Sequence, residues 1–409
     1  MDIREAALKL HRDNQGKLGV VSKVPVKTRY DLSIAYTPGV AEPCKDIKQD
    51  KDLSFELTCR GNMVAIVSDG TRVLGLGDIG PEAAIPVMEG KAVLFKVFGD
   101  VDAVPICLDT KDPDKIIETV KLLQPTFAGI NLEDISSPKC YDIEDRLIEM
   151  LDIPVFHDDQ HGTAIAALSA VIGALRFVKK DIAEAKVVVN GAGAAGTAIG
   201  RLLVTAGAQN VIMVDMQGAF YQGMAGLNRV QEELAAKTNQ AKLQGNLAEM
   251  AKGADVIIGV SAPGSFTAEI IQSMNTDPIV IAMANPVPEI MYNDAKAAGA
   301  KVAGTGRSDA PNQVNNVTVF PGIFRGAMDV RAKKINDEMK LAAAYAIAGL
   351  VADEELREDF VVPDAFDPRV APAVAAAVAK AAIDTGVARI QVDPETVRAN
   401  TAARVKVGK

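Results

Sequence analysis

Residues 186–196 read Lys-Val-Val-Val-Asn-Gly-Ala-Gly-Ala-Ala-Gly, a short apolar run followed directly by the pattern G-x-G-x-x-G. The residues after it, to about Ala206, have the composition of a helix, and the next apolar run ends at Asp215. A strand, a glycine-rich turn, a helix and a second strand that ends in an acid form the order typical of a dinucleotide-binding unit. We therefore predict an α/β protein whose second half is a Rossmann-type, doubly wound parallel sheet.

The glycines of this motif have separate physical reasons. Gly191 allows the tight turn, Gly193 lets the backbone approach a pyrophosphate, and Gly196 permits close packing of the helix. Ala194 and Ala195 open the helix, whose first N–H groups and positive dipole end would face the phosphate. We expect these five residues to bind the cofactor.

Asp215 lies where a carboxylate accepts hydrogen bonds from the adenosine ribose hydroxyls. The residues that follow it, Met216 and Gln217, supply no cation for a ribose 2′-phosphate. Asp215 would also repel such a phosphate. The sequence therefore favours NAD as the cofactor, with NADP as the alternative.

Two acidic pairs precede the glycine motif, each at the end of a strand-like apolar run. The first pair is Glu133 and Asp134, and the second is Asp158 and Asp159. Carboxyl ends of parallel strands share one edge of a sheet, so we expect these four side chains to converge there. Oxygen ligands with no cysteine nearby favour Mg²⁺ or Mn²⁺ over zinc. The competing interpretation is that these residues are helix N-caps and solvated turn residues.

Three further side chains of the first half are candidates for chemistry, although each is ordinary on local sequence alone. Lys91 lies in a helix predicted over 83–96, where burial would lower its pKa toward that of a usable base, whereas most lysines reach water. Tyr36 precedes a Thr-Pro-Gly turn, and a lone tyrosine in an apolar setting is usually a core residue. Arg72 lies on the return strand of a β-hairpin predicted over 63–76 from its Asp-Gly turn.

The composition excludes some classes of partner. The chain has 409 residues, enough for two cores, and a formal net charge of −9 with a pI near 5.1. That charge argues against nucleic acid or an anionic membrane as a partner. We find no signal-peptide pattern at the start, no apolar segment that approaches the length of a membrane span, and no metal-type spacing among the four cysteines. We expect a cytoplasmic protein with reduced thiols.

Taken together, the motifs resemble those of the malic enzyme family, in the same order over about residues 30–325. The shared segments are 36–40 (Tyr-Thr-Pro-Gly-Val), 72–78 (Arg-Val-Leu-Gly-Leu-Gly-Asp), 90–91 (Gly-Lys), 132–134 (Leu-Glu-Asp), 156–163 (Phe-His-Asp-Asp-Gln-His-Gly-Thr), 191–196, 285–286 (Asn-Pro) and 315–322 (Asn-Asn-Val-Thr-Val-Phe-Pro-Gly). The chain looks like the short bacterial or archaeal form. The resemblance implies oxidative decarboxylation of L-malate to pyruvate and CO₂, with NAD or NADP and a divalent metal.

The resemblance also assigns roles that the isolated residues could not. Lys91 would take the hydroxyl proton of malate, tuned by Asp158, and Tyr36 would protonate the enolate carbon. The other assignments are the metal ligands Glu133, Asp134 and Asp159, the substrate-binding residues Arg72, Asn285 and Asn316, and the cofactor-binding residues Asn285 and Asn315. His157 and His161 are expected to form supporting hydrogen bonds around the site. Animal enzymes selective for NADP place a Lys where this chain has Gln222, which also favours NAD.

The chain is expected to divide into three parts. An N-terminal domain over 1–160 would carry the substrate, the metal and the dimer contact, an NAD(P)-binding domain would span 161–390, and 391–409 would form a tail whose last dozen residues are loosely held. The resemblance implies a homodimer, to which the amphipathic helix predicted over 3–18 would contribute, although that helix could instead cover its own domain. Residues 317–320 are expected to form a strand.

Three other functions remain open. A 2-hydroxy-acid or amino-acid dehydrogenase that needs no metal would use the glycine motif but not the acidic pairs. A malolactic enzyme, which releases lactate, uses similar residues in chains that are usually longer. A non-catalytic dinucleotide-binding module would need neither Lys91 nor Tyr36, and it would bind NAD equally well in the presence of a chelator.

Overall fold

The computed structural model describes residues 2–73, 75–405 and 407, and its strands form two sheets. The strands of the first sheet are β1 Met63–Ser68, β2 Asp102–Cys107, β3 Gly129–Leu132 and β4 Val155–His157. Those of the second sheet are β5 Lys186–Asn190, β6 Asn210–Asp215, β7 Gly218–Ala219, β8 Val256–Gly259, β9 Ile279–Ala282 and β10 Val302–Thr305.

Helices surround both sheets. Those before and within the first sheet are α1 Ile3–Asn14, α2 Arg29–Ala35, α3 Ala41–Gln49, α4 Ser54–Leu57, α5 Pro81–Gly99, α6 Pro113–Leu123 and α7 Lys139–Met150. Those that follow are α8 Asp158–Val178, α9 Ala194–Thr205, α10 Arg229–Ala235, α11 Leu247–Ala251, α12 Ala268–Gln272, α13 Tyr292–Ala297, α14 Phe320–Asp329, α15 Asp337–Ala348, α16 Val370–Asp384 and α17 Pro394–Arg404.

Both sheets are built mainly from parallel strands. The first has the order β2-β1-β3-β4, and the second has the order β10-β9-β8-β5-β6-β7 with only β7 antiparallel. The strand order of the second sheet reverses between β5 and β8, since β6 lies on one side of β5 and β8 on the other. This reversal is the switch point at which doubly wound sheets bind ligands. The predicted fold class is therefore confirmed.

The β-hairpin predicted over 63–76 is wrong. β1 pairs in parallel with β2 and β3, so both of its neighbours come from later in the chain. The side chains of Ser68 and Asp69 accept hydrogen bonds from the backbone N–H groups of Gly70 and Thr71, and these bonds turn the chain away from the sheet. The Asp-Gly pair therefore marks a loop at the carboxyl edge of a parallel sheet.

α8 connects the two sheets. Its 21 residues are long and apolar enough to cross a membrane by length and composition alone, contrary to the expectation from the sequence. However, 72% of its most apolar window is buried inside the protein, where the helix packs against α9 and α15. α8 is thus a core helix between the two sheets, as expected of a helix that is apolar nearly all round.

The C-terminal helices pack on one another and return to the first half of the chain, where α14 contacts α5. The strand predicted over 317–320 is wrong: a 3₁₀ turn, Asn316–Thr318, leads into α14, in which Pro321 occupies a favourable first-turn position. The expectation of a loosely held end is also wrong as far as residue 404. α17 continues to that residue and buries Val397 and Thr401 on one face.

Candidate active site

The two acidic pairs meet around Lys91 at the carboxyl edge of the first sheet. Glu133 and Asp134 follow β3, whereas Asp158 and Asp159 form the first turn of α8 directly after β4. Lys91 comes from α5, and its Nζ lies 3.1 Å from Glu133 Oε1 and pairs more closely still with Asp158. The predicted convergence of the four carboxylates is therefore found in the structure.

Three of these carboxylates form a group suited to a cation. Glu133, Asp134 and Asp159 each offer an oxygen, and these oxygens lie within 4.8 Å of one another. Asp134 Oδ2 is buried and has no hydrogen-bond partner among the described residues. Burial raises the pKa of all three carboxyl groups, and repulsion between neighbouring carboxylates raises it further. Because one ammonium cannot balance four carboxylates, a hard divalent cation fits this oxygen-lined group.

The environment of Lys91 differs from the expectation for a buried lysine. Burial by itself lowers the pKa of the amine, but the adjacent carboxylates of Asp158 and Glu133 outweigh it and raise the pKa above its ordinary value. The ring of Phe320, with its centroid 3.9 Å from Nζ, adds a cation–π contact. The expectation of a lowered pKa is therefore wrong while those carboxylates carry their full charge.

Asp158 also holds the asparagine that precedes α14. Asn316 Nδ2 donates to Asp158 Oδ2, the same oxygen that accepts from Lys91. Gly162, one turn further along α8, leaves room for this carboxylate, since a Cβ there would lie 1.9 Å from Asp158 Oδ1. The first turn of α8 thus fixes Asp158 between Lys91 and Asn316.

Arg72 and Asn285 lie on two loops that are close to each other. Arg72 has an exposed side chain, and its backbone N–H donates to Asp134 O over 2.9 Å. Asn285 follows β9 together with Pro286, whose Cδ would lie 3.1 Å from a Cβ placed on Gly75. The loop after β9, which carries Asn285, therefore lies against the loop after β1, which carries Arg72.

The glycine motif has the geometry that its sequence predicts. Gly191 has a φ of +114°, and a Cβ on Gly196 would lie 1.8 Å from Gly191 O. A Cβ on Gly193 would meet nothing within 4 Å, so this part of the backbone is open to a ligand. Ala194 and Ala195 form the first turn of α9.

The side chains of two predicted cofactor-binding residues accept hydrogen bonds from nearby backbone N–H groups. Asp215 ends β6, and its Oδ1 accepts a hydrogen bond from Gln217 N over 2.7 Å. Asn315 caps the 3₁₀ turn by accepting from Val317 N over 2.9 Å. Among the described residues, neither side chain makes another hydrogen bond, and cofactor contact by either residue stays a prediction.

Tyr36 is the one predicted catalytic residue that the chain does not bring to this cluster. Its side chain is 67% exposed at the end of α2, and its hydroxyl makes no hydrogen bond with any described residue. The interpretation of Tyr36 as an ordinary core residue is therefore wrong.

Comparison with known proteins agrees with this geometry. A family model described as "Malic enzyme, N-terminal domain" matches residues 15–148, and one described as "Malic enzyme, NAD binding domain" matches residues 160–383. The chain belongs to the malic enzyme family. The family and the assignment to the oxidoreductases, both predicted from the sequence, are thereby confirmed.

Several malic enzymes are similar over most or all of the chain. The bifunctional malic/malolactic enzyme of Bacillus subtilis is 60% identical over 100% of both chains. The NAD-dependent malic enzyme of Geobacillus stearothermophilus is 56% identical, over 91% of this chain and 78% of that one. The crystal structure of malic enzyme from Pyrococcus horikoshii, 49% identical, covers 99% of this chain and 96% of its own with a TM-score of 0.95. Other relatives, 46% and 47% identical, are named NADP-dependent malic enzymes.

One acidic residue beside the active site of this malic enzyme was not predicted from the sequence. Glu144 of α7 is buried and accepts hydrogen bonds of 2.9 Å from His157 N and from Gln160 Nε2. His161 Nε2 also lies 2.9 Å from it, so the supporting hydrogen bond predicted for His161 is found. The ring of His157 has no hydrogen-bond partner among the described residues, and its Nε2 lies 3.6 Å from Asp159 Oδ2, so the supporting bond predicted for this ring stays a prediction. The sequence did contain a signal for Glu144, because an acidic residue on the apolar side of an amphipathic helix is unusual.

A second missed acid, Glu289, ties together two loops of the nucleotide-binding sheet. Its buried carboxylate accepts from Ser261 N over 2.7 Å and from Ala284 N over 3.0 Å. These N–H groups belong to the loops after β8 and β9, and the second loop carries Asn285. Nothing in the local sequence distinguishes Glu289 from a solvated loop acid.

Proposed function

We propose that this protein oxidises L-malate and releases CO₂, giving pyruvate, with NAD or NADP as hydride acceptor and Mg²⁺ or Mn²⁺ as the metal. The observation that carries the proposal is the group formed by the buried Glu133 and Asp134 and the partly exposed Asp159, beside the Lys91–Asp158 pair. A hydride-transfer enzyme without a decarboxylation step has no need of such a group. Its presence in a chain with the glycine motif therefore favours this reaction over a metal-independent dehydrogenase and over a sensor.

The metal would be held by Glu133, Asp134 and Asp159. When bound, it stabilises negative charge on the keto oxygen while CO₂ leaves. Neutralising these carboxylates would also weaken the field that holds the proton on Lys91. The amine of Lys91 could then accept the hydroxyl proton of malate, with Asp158 keeping it in place.

The substrate would be oriented by cationic and neutral donors. Arg72 would bind a malate carboxylate, for which a guanidinium offers paired N–H donors. Asn285 and Asn316 would donate amide hydrogen bonds without adding charge to an acidic site. Asn316 is already directed by Asp158, so its orientation is coupled to that of Lys91.

We propose NAD as the preferred cofactor, because Asp215 would accept the ribose hydroxyls and repel a 2′-phosphate. Gln222, at the position where a Lys would favour NADP, is exposed and uncharged. The relatives include both NAD-dependent and NADP-dependent enzymes, so the ratio of rates with the two cofactors is the test.

The acid that completes the reaction would come from a second copy of the chain. None of the described residues before Ser54 is buried, and Val20, Val21 and Tyr30 of this arm are 104%, 84% and 73% exposed. Packing of the arm against a second copy would cover these apolar side chains and give the predicted homodimer. Tyr36 lies on the same arm and would protonate the enolate carbon in the site of that second copy.

The four cysteines are free thiols, which supports the expected location in the reducing cytoplasm. Fractionation of cells of the source organism tests this location. Recovery of the protein in a soluble cytoplasmic fraction is the expected result.

The reaction is tested by supplying L-malate and Mn²⁺ with NAD and NADP in parallel, with and without a chelator, and by identifying the carbon product. Metal-dependent formation of pyruvate, CO₂ and reduced cofactor is expected. Oxaloacetate that accumulates without decarboxylation, or turnover that survives the chelator, contradicts the proposal.

Malolactic activity is a second candidate function. The relative that is 60% identical over 100% of both chains is named a bifunctional malic/malolactic enzyme, so chain length gives no reason to set this activity aside. Lactate formed without net reduction of the cofactor would demonstrate it. Pyruvate as the sole product would show that the protein performs the oxidative reaction and not the malolactic one.

A further inference from the structure

The first turn of α8 carries two of the four clustered carboxylates, but its N-cap residue does not cap it. Asp158 and Asp159 are the first two residues of the helix, and the N-cap residue His157 makes no side-chain capping hydrogen bond. The first N–H groups of a helix have no partner within the helix, so a buried helix start takes its partners from elsewhere. The position of both carboxylates therefore depends on the groups that hold this turn from outside.

One carboxylate of α7, that of Glu144, supplies these contacts. Its Oε1 accepts a hydrogen bond from His157 N over 2.9 Å, and its Oε2 accepts from Gln160 Nε2 and from His161 Nε2 over 2.9 Å each. In a capping box, the side chain of the third residue of a helix accepts from the N–H of the N-cap residue. Gln160 is the third residue of α8, and Glu144 accepts the N-cap N–H in its place. A residue of α7 thus caps the first turn of α8.

Glu144 is itself held in place by the packing of α7. Its side chain is buried, and its neighbours Ile143 and Leu147 are fully buried in the core beneath the first sheet. Nearly one turn earlier on α7, the hydroxyl of Tyr141 lies 3.0 Å from Thr197 Oγ1 of α9. Because contacts with the sheet and with α9 fix α7, the carboxylate of Glu144 is a rigid support for the turn that it caps.

We propose that Glu144 is a positioning residue, which fixes the first turn of α8 and thereby directs Asp158 toward Lys91 and Asp159 toward the metal. Its hydrogen bonds go to residues on either side of the two aspartates in sequence and not to the aspartates themselves. The turn therefore cannot shift without breaking at least one of these bonds. Glu144 acts through the backbone of α8 and not as a ligand.

A purely structural role for Glu144 makes a different prediction. A buried acid that only stabilises the fold changes the free energy of unfolding when it is replaced, but the folded variant still binds metal normally. A positioning residue changes the metal affinity of the folded protein, because the ligand Asp159 is no longer held in the binding geometry. The Mn²⁺ affinity of folded variants therefore separates the two roles.

Calorimetric titration with Mn²⁺, without malate and cofactor, tests the proposal on Glu144→Gln. This change keeps the size of the side chain but replaces one accepting oxygen by an amide donor. We expect Mn²⁺ affinity to fall about tenfold, the lower end of the range for groups that orient metal ligands. Asp145→Asn is the matched control, because Asp145 is the next residue of α7, is exposed and pairs with Arg229. Melting curves verify that each variant is folded. Unchanged Mn²⁺ affinity in folded Glu144→Gln, or an equal loss in Asp145→Asn, would overturn the proposal.

A cavity beside Glu144 permits a second test, in which formate replaces the missing carboxylate. The cavity has a volume of about 120 Å³, and Glu144 and His161 lie in its wall. It reaches the surface, because the lining residues Asp145 and Arg201 are about half exposed. Formate should restore part of the Mn²⁺ affinity lost in Glu144→Ala, in a saturable manner, and should not raise that of the wild type. Sodium chloride at the same ionic strength is the control. A loss in folded Glu144→Ala that formate does not reverse would contradict a specific role of the carboxylate.

The kinetic consequence rests on the proposed function and has its own measurement. In Glu144→Gln, kcat for L-malate should fall about tenfold at saturating Mn²⁺, because Asp158 no longer holds Lys91 in place. The affinity for NAD, measured without metal, should stay unchanged, since the glycine turn is fixed by its own backbone. An unchanged kcat would overturn the part of the proposal that concerns Asp158. Absence of malate turnover in the wild type would instead count against the proposed function, while the Mn²⁺ titration would still decide the role of Glu144.

Discussion

Lys91 shows at the scale of one residue why burial alone does not determine the pKa of an amine. The sequence predicted a partly buried lysine on a helix, but it could not show that α5 places the amine against Asp158 and Glu133. These contacts join residues 67 and 42 positions apart, and only the parallel order of the first sheet creates them. The residue type and its helix were predictable, whereas the sign of the pKa shift was not.

The metal ligands give a prediction at the same scale. Asp134→Asn removes a buried carboxylate whose Oδ2 has no hydrogen-bond partner in the described part of the chain, so the stability of the fold should change little. We expect Mn²⁺ affinity to fall by at least tenfold to a hundredfold, since even partners that only orient metal ligands have effects of that size. Calorimetric titration with Mn²⁺ measures this, and Asp114→Asn, at an exposed acid, is the control. Unchanged Mn²⁺ affinity in Asp134→Asn would remove it from the ligand set.

Individual elements were predictable where local chemistry decides them. The glycine motif between β5 and α9 is one such case. Gly191 has a positive φ and Gly196 packs closely against Gly191 O, and both positions require glycine, so the residue types alone indicate this turn. The loop after β1 was mistaken for a hairpin because Asp-Gly suits either structure, and the pairing partners of β1 come from distant sequence. The 3₁₀ turn before α14 escaped prediction because apolar β-branched residues there resemble a strand.

One ion pair at the start of the second sheet gives a prediction on stability. Asp255, before β8, accepts from Lys180 Nζ over 2.7 Å and from Lys186 N over 2.9 Å. Burial would raise the pKa of Asp255, but these contacts outweigh it and lower the pKa. A carboxyl group with a lowered folded pKa contributes stability above its unfolded pKa of about 3.9, and that stability is lost as the pH falls through the folded value.

Asp255→Asn should therefore destabilise the protein by about 1.5–3 kcal/mol at pH 7, the range for hydrogen bonds to charged groups. The difference from the wild type should shrink as the pH falls below about 4. Urea unfolding at several pH values measures it, with Asp384→Asn, in an exposed pair with Lys380, as the control. A difference that is independent of pH would show that the charge of Asp255 is not the cause.

At the scale of the whole molecule, the arm before Ser54 is the part that a single chain leaves incomplete. At its start, apolar residues alternate with charged ones as in an ordinary surface helix. The sequence therefore indicated an amphipathic helix, but it did not show which surface packs against the apolar side chains. Tyr36 on this arm is exposed, and its side chain makes no hydrogen bond with any described residue, including those of the Lys91 cluster. A site shared between two copies reconciles the proposed role of Tyr36 with its exposure.

Mixing two inactive variants tests this sharing. Tyr36→Phe and Lys91→Ala should each be nearly inactive, whereas exchange of subunits between them should restore about a quarter of the wild-type activity, because half of the dimers would contain one intact site. Assays before and after exchange, with sedimentation to verify the dimer, measure this. Mixed dimers that stay inactive would place Tyr36 in the site of its own chain or outside catalysis.

The most direct test of the central claim, that the buried Lys91 cluster is the reaction centre, is kcat for L-malate in Lys91→Ala compared with Lys96→Ala. Lys96 lies on the same helix, is exposed, and pairs with Asp100 and Asp102 far from the carboxylate group. We predict that Lys91→Ala lowers kcat by about 10²–10⁴-fold while NAD still binds, and that Lys96→Ala leaves kcat unchanged. Unchanged turnover in folded Lys91→Ala would contradict the claim.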